Sequence, residues 1–126
     1  MKRVIAIDFD GVIVDDCYPE IGRLKDDASH SLNLLSKHFT IIIWTCRSGL
    51  DLEVVRQFLE EHHLPFDYLN ENTIENKRLF GNDSRKIFAD IYVDDRVPGG
   101  FLGWKETIEL IYSDLRNKQT TEHYRL

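Results

Sequence analysis

Two short apolar runs, each stopping abruptly at a pair of acids, organise this chain. Residues 3–7 (Arg-Val-Ile-Ala-Ile) run into Asp8-Phe9-Asp10-Gly11, and residues 89–93 (Ala-Asp-Ile-Tyr-Val) run into Asp94-Asp95. Apolar runs of that length bounded by polar residues read as strands buried on both faces, the environment of a parallel sheet. Open parallel α/β sheets bind ligands beyond the carboxyl ends of their strands. Two such strands side by side would deliver Asp8, Asp10, Asp94 and Asp95 to one edge, a set of oxygen donors suited to a hard divalent cation.

The rest of the pattern supplies the sheet's other parts. Residues 11–22, with Pro19 and two glycines, read as a loop or small flap beside the first strand end. Residues 26–37 carry a moderate amphipathic stripe, with Asp26 or Asp27 as possible cap. Residues 39–44 are apolar and β-branched, a second buried strand ending at Thr45. Residues 50–63 form a helical stripe closed by Pro65, and 66–69 a third strand. The polar stretch 70–85 reads as mostly loop, with a helical turn near 75–80; 86–93 is the fourth strand, and 104–118 a closing helix. The polar end, 119–126, is expected to be loose.

The alternation β-α-β-α-β-β-α, with right-handed crossovers, predicts a three-layer, Rossmann-like open parallel sheet in one α/β domain spanning 1–126. With strand order 3-2-1-4, strands one and four flank a switch point at which the acids converge. The gaps 11–44 and 46–85 are consumed by these elements, which leaves no room for a cap domain and predicts an open site.

At 126 residues the chain is long enough to enclose one core. Its net charge of −6 disfavours a nucleic-acid backbone as partner, since that contact rests on Lys and Arg. Two cysteines, Cys17 and Cys46, are too few for a disulfide scaffold. The chain opens on Met-Lys-Arg and goes straight into a strand, with no apolar run able to span a bilayer, so a cytoplasmic location is expected. Cys17 and Arg23 satisfy the Cys-x5-Arg spacing of tyrosine phosphatases, but Pro19 lacks an N–H to offer an anion and Glu20 would repel it. That spacing is read as chance.

The sequence Asp8-Phe-Asp10-Gly11, the strand ending in Thr45, a lysine, and the strand ending in Asp94-Asp95 resemble, in order, the four motifs of the haloacid dehalogenase-like (HAD) phosphohydrolases. The resemblance covers most of the chain. It implies a small, cap-less, Mg²⁺-dependent phosphatase in which Asp8 is the nucleophile and Asp10 the general acid and base. Thr45 and Lys86 would hold the phosphoryl oxygens, with Lys77 the competitor for the lysine role and Arg47 a further phosphate contact; Arg47 and Arg96 can equally be structural. Mg²⁺ would be held by the Asp8 carboxylate, the Asp10 backbone carbonyl, Asp94, and Asp95 directly or through water. The family's usual threonine after Asp-x-Asp-Gly is Val12 here, which keeps the β-branched shape without the hydroxyl. The expected substrate is a phosphorylated small molecule or an exposed phosphate on a larger one, with a neighbouring subunit able to close the open site.

Two other readings stand beside this one. A response-regulator-like phospho-acceptor domain also clusters acids, Thr and Lys on a small parallel sheet, but its acceptor aspartate follows the third strand, where this chain has Leu69-Asn70-Glu71. A catalytically silent, metal-binding relative would need the same acids without turnover.

Overall fold

The computed structural model describes residues 2–124, with side chains through residue 116. Four parallel strands, β1 (Arg3–Asp8), β2 (Phe39–Trp44), β3 (Tyr68–Leu69) and β4 (Ile91–Val93), form one sheet in the order β3-β2-β1-β4. Four helices connect and close it: α1 (Ala28–Ser36), α2 (Gly49–Glu61), α3 (Ile74–Phe80) and α4 (Trp104–Tyr124). The order is the one the alternation predicts, and no cap domain is inserted.

The sheet's two faces are covered unequally. Ile5 and Ile7 of β1 and Ile41 and Ile43 of β2 face one side, where Leu32 and Leu35 of α1, Val55 and Leu59 of α2, and Trp104 and Ile111 of α4 bury them completely. Val4, Ala6 and Ile42 face the other, covered by Ile87, Ala89, Trp44 and Tyr68. The third layer is thus thin: α3 contributes no buried residue, and Ile74, Leu79 and Phe80 are exposed. The handedness rule accounts for this. Crossovers β1-α1-β2 and β2-α2-β3 step the same way along the sheet and place both helices on one face, while the return from β3 to β4 crosses on the other.

Strands β3 and β4 are shorter than their apolar runs, because side chains have taken over the ladder. Asp67 Oδ2 accepts from Ile41 N–H at 2.8 Å, and Asp90 Oδ2 from Val4 N–H at 2.7 Å, occupying positions where a strand carbonyl would sit. Further along, Phe88 N–H donates to the buried Asn72 Oδ1 and Ala89 N–H to Tyr92 Oη. Residues 86–90 therefore run beside the sheet as a pinned loop, where a strand from 86 was expected. Helix α3, expected as a turn, is a full helix because Thr73 Oγ1 caps Asn76 N–H at 3.2 Å and Gly81 ends it at φ 74°. Helix α4 continues past residue 118 into the segment expected to be loose and reaches Tyr124; residues 125 and 126 lie outside the described residues. No described helix is long and apolar enough to cross a membrane.

The segment after β1 is divided. Val12, Ile13 and Val14 are fully buried, so the β-branched residue in place of threonine is a core side chain. The protruding flap is limited to residues 16–20, which are exposed. Trp104 Nε1 donates to the Val12 carbonyl at 2.9 Å in a buried hydrogen bond, tying α4 to this turn. Trp104→Phe would leave that carbonyl unpartnered at a cost of about 1–3 kcal/mol. Urea denaturation should show a lower midpoint at unchanged m-value; a wild-type midpoint would mean the bond adds nothing.

Candidate active site

Strand β1 is central, and its register sets the site. Ile7 is paired with Val93, so Asp8 and Asp94, each one residue further, leave the same edge side by side. Asp8, Asp94 and Asp95 each offer a carboxylate oxygen within 4.8 Å of the others. Oxygens bound to one Mg²⁺ stand about 3–4.2 Å apart, so this spacing is within reach of a shared ion once the side chains close on it. All-oxygen, all-anionic donors fit that cation. Of the acids expected to converge here, Asp8, Asp94 and Asp95 bring their carboxylates together.

Gly11 makes the approach possible. Its φ of 88° lies in the left-handed region, and a Cβ built there would collide with Asp95 Oδ2. Asp8 Oδ1 accepts its neighbour's Phe9 N–H at 2.9 Å, and Asp94 Oδ1 accepts Arg96 N–H at 3.0 Å, so both carboxylates are oriented by local backbone. Burial pushes the Asp8 carboxyl up from 3.8 to about 8, with a hydrogen bond shared with Asp95 and the negative charge of Asp94 adding to it.

The Asp10 carboxylate lines the same cleft but is engaged by Arg47. Arg47 grips it with both forks: Nε donates to Oδ2 and Nη2 to Oδ1, each at 2.8 Å. The expected part of Asp10 in metal binding was its backbone carbonyl, which this pairing does not involve. Arg47 is 3 % exposed and also donates to the Pro19 and Glu20 carbonyls of the flap, at 2.8 and 2.9 Å. The structure therefore gives the guanidinium structural partners where a substrate phosphate was one expectation, and the Asp10 carboxylate holds it above the ordinary arginine pKa.

Thr45 sits at the end of β2 on the same cleft. Its Oγ1 accepts from Arg47 N–H at 3.1 Å, shaping the turn 45–47. Asn70, just past β3 at φ 57°, braces this turn: its Oδ1 accepts Thr45 N–H at 2.7 Å, and its Nδ2 donates to the Thr45 and Arg47 carbonyls. Asn70 and the Arg47 pairing were not read from the sequence; the only signal was a polar residue at a strand end.

The cleft holds about 800 Å³, with Trp44 and Tyr18 on its wall beside the acids. Its cations are Arg47, Arg85 and Arg96. Lys86 is not among the lining residues; its ammonium lies 5.8 Å from the centre of the Tyr92 ring. The turn that Ser84 Oγ makes to the Lys86 carbonyl, in place of an extended strand, presents Arg85 to the cleft. Lys77, the competitor, is held by Glu71 at 2.7 Å and Asp83 at 3.9 Å. Asp83 is in turn held below its ordinary pKa by hydrogen bonds from Asn72. Cys17 is exposed, and Arg23 Nε lies 3.8 Å from the Asp15 carboxylate.

A solved structure of a conserved protein from Bacteroides thetaiotaomicron is similar to this chain, at 34% sequence identity and a TM-score of 0.80, over 90% of this chain and 93% of that one. No family model and no curated protein matches the chain.

The raised Asp8 pKa fixes a sign. Between pH 3.8 and about 8 the native state keeps a proton that the unfolded chain has released, so the contribution of Asp8 to stability falls as pH rises, by at most about 1.4 kcal/mol per pH unit. Asp8→Asn should therefore gain thermal stability over the wild type at pH 8 relative to pH 5 when no metal is added. Mg²⁺ should stabilise the wild type more at pH 8 than at pH 5, because it competes with that proton. Melting curves at the two pH values check both, and a pH-independent difference would reject the crowded-carboxylate picture.

Proposed function

The chain belongs to the same family as the conserved Bacteroides thetaiotaomicron protein, and we propose that it is a cap-less, HAD-type, Mg²⁺-dependent phosphomonoester hydrolase. The observation that carries this reading is the Asp8-Asp94-Asp95 cluster with Asp10 two residues from Asp8 at the same strand end. A bound Mg²⁺ would be held by those three carboxylates and the Asp10 backbone carbonyl, and would offset the repulsion between a carboxylate and an anionic phosphate.

In the first step an Asp8 carboxylate oxygen attacks phosphorus. The bond from phosphorus to the ester oxygen breaks, the electron pair stays on that oxygen, and Asp10 gives it a proton. In the second, Asp10 takes a proton from water as the water oxygen attacks the aspartyl-phosphate. The bond from phosphorus to Asp8 breaks, releasing inorganic phosphate and restoring both carboxyl groups. Thr45 at the cleft and a cation beside it meet the phosphoryl oxygens, where negative charge spreads in the transition state. Arg85 lines the cleft for that task, and Lys86 beside it is the residue that the family resemblance assigns.

The open cleft suits a phosphorylated small molecule or an exposed phosphate on a larger substrate, with a second subunit able to close it. The cytoplasm, rich in Mg²⁺ and phosphate esters, is the compartment this chemistry suits. The signalling alternative is disfavoured by Asn70, which stands after β3 and is committed to bracing Thr45.

Hydrolysis of p-nitrophenyl phosphate with and without Mg²⁺ tests the reading. Turnover should require the metal, vanish in Asp8→Asn, and fall by about 10²–10⁴-fold in Asp10→Asn. Turnover that survives Asp8→Asn removes the nucleophile. Stable phosphorylation by acetyl phosphate without turnover would favour the phospho-acceptor alternative.

A further inference from the structure

We propose that Arg47 is a positioning residue that locks Asp10 and the flap into one unit, so that Asp10 presents its proton to the leaving-group oxygen. The proposal rests on the phosphatase reading for what Asp10 does, and on geometry alone for the lock.

The guanidinium has five N–H donors in a rigid fork. Four are committed: Nε and one Nη2 hydrogen to Asp10, one Nη1 hydrogen to the Pro19 carbonyl and the other Nη2 hydrogen to Glu20. The Tyr18 ring covers the guanidinium carbon at 4.9 Å from its centroid. With the side chain 1 % exposed, almost nothing of Arg47 is left over for a phosphate. Its grip still leaves Asp10 able to work. Each carboxylate oxygen has two lone pairs, and Arg47 takes one on each, so one per oxygen remains for a proton aimed into the cleft. Asp10, at 17 % side-chain exposure, still reaches that cleft.

The same four bonds tie the flap, through Pro19 and Glu20, to the paired ends of β1 and β2, through Asp10 and Arg47. Asn70 fixes the Arg47 carbonyl from just past β3. A lysine at 47 would keep the charge but offer one ammonium in place of a planar fork, and could not hold both oxygens of Asp10 and two flap carbonyls at once.

The test compares leaving groups. p-Nitrophenol departs readily without a proton, whereas an alkyl alcohol such as glycerol needs one. In Arg47→Lys, kcat should fall on both esters, because Asp10 also takes the water proton in the second step, but by at least about 10-fold more on glycerol 1-phosphate than on p-nitrophenyl phosphate, within the range by which general acids act. KM and Mg²⁺ affinity should stay near wild type. Equal losses on both esters, or a loss confined to KM, would overturn the proposal, the second by making Arg47 a phosphate ligand. Should Arg47→Lys fail to fold, Arg47→Gln is measured in the same way. Amide hydrogen exchange supplies a readout free of turnover: residues 16–20 should exchange faster in the variant than in the wild type, and unchanged exchange overturns the lock. A wild type inactive on both esters would reject the phosphatase reading, and with it proton delivery, leaving the exchange data to decide the lock.

Discussion

Like charges held together in a folded protein need a compensating reason, and here the reason is the sheet. Parallel pairing of β1 with both β2 and β4 leaves no freedom in where Asp8 and Asp94 emerge, because the Ile7–Val93 register fixes it. The hydrophobic burial of Ile5, Ile7, Ile41 and Ile43 that drives this pairing is large compared with carboxylate repulsion, so the acids are brought together whether or not a cation is present. Burial first, and the neighbouring Asp95 and Asp94 after it, push the Asp8 pKa up. Gly11 lets Asp95 complete the group.

Acids elsewhere in the chain show why clustering, and not acidity, marks the site. Asp67 and Asp90 also stand beside strands, yet each is spent on a backbone N–H of the sheet. Asp83 is spent on Asn72, and Asp15 lies near Lys25 and Arg23. Each of these carboxylates has a donor. Asp8 and Asp94 also accept a backbone N–H each, from Phe9 and Arg96, but together with Asp95 they are the described acids gathered within reach of one cation.

The strand order, the uncapped architecture and the convergence of Asp8, Asp94 and Asp95 were legible because each follows from long-wavelength patterns: apolar runs, crossover handedness and gap lengths. What escaped was decided by single side chains. Nothing in the run 86–93 says that Asn72, Tyr92 and Asp90 will intercept the ladder and shorten β4, or that the resulting turn will put Arg85 in the cleft and Lys86 over Tyr92. Arg47 could be named as a site residue, but not its partners, since Asp10, Pro19 and Glu20 lie far from it along the chain. The flap is smaller than residues 11–22 for a related reason: glycines and a proline signal a loop, while Val12, Ile13 and Val14 form the turn's buried half.

A buried arginine is tolerable only when its donors are satisfied, and that requirement ties the open cleft to its flap. Asp10 alone satisfies two of the N–H groups; the Pro19 and Glu20 carbonyls satisfy two more, and they can do so only while the flap lies against the turn after β2. Displacing residues 16–20 would therefore uncover buried donors and loosen the carboxylate they hold. In a site with no cap to close over it, the short flap has two tasks: Tyr18 contributes wall to the cleft, and the two carbonyls beyond it help keep Asp10 in place. On the proposed phosphatase reading, substrate contact at Tyr18 and proton transfer at Asp10 would then be mechanically linked through one side chain.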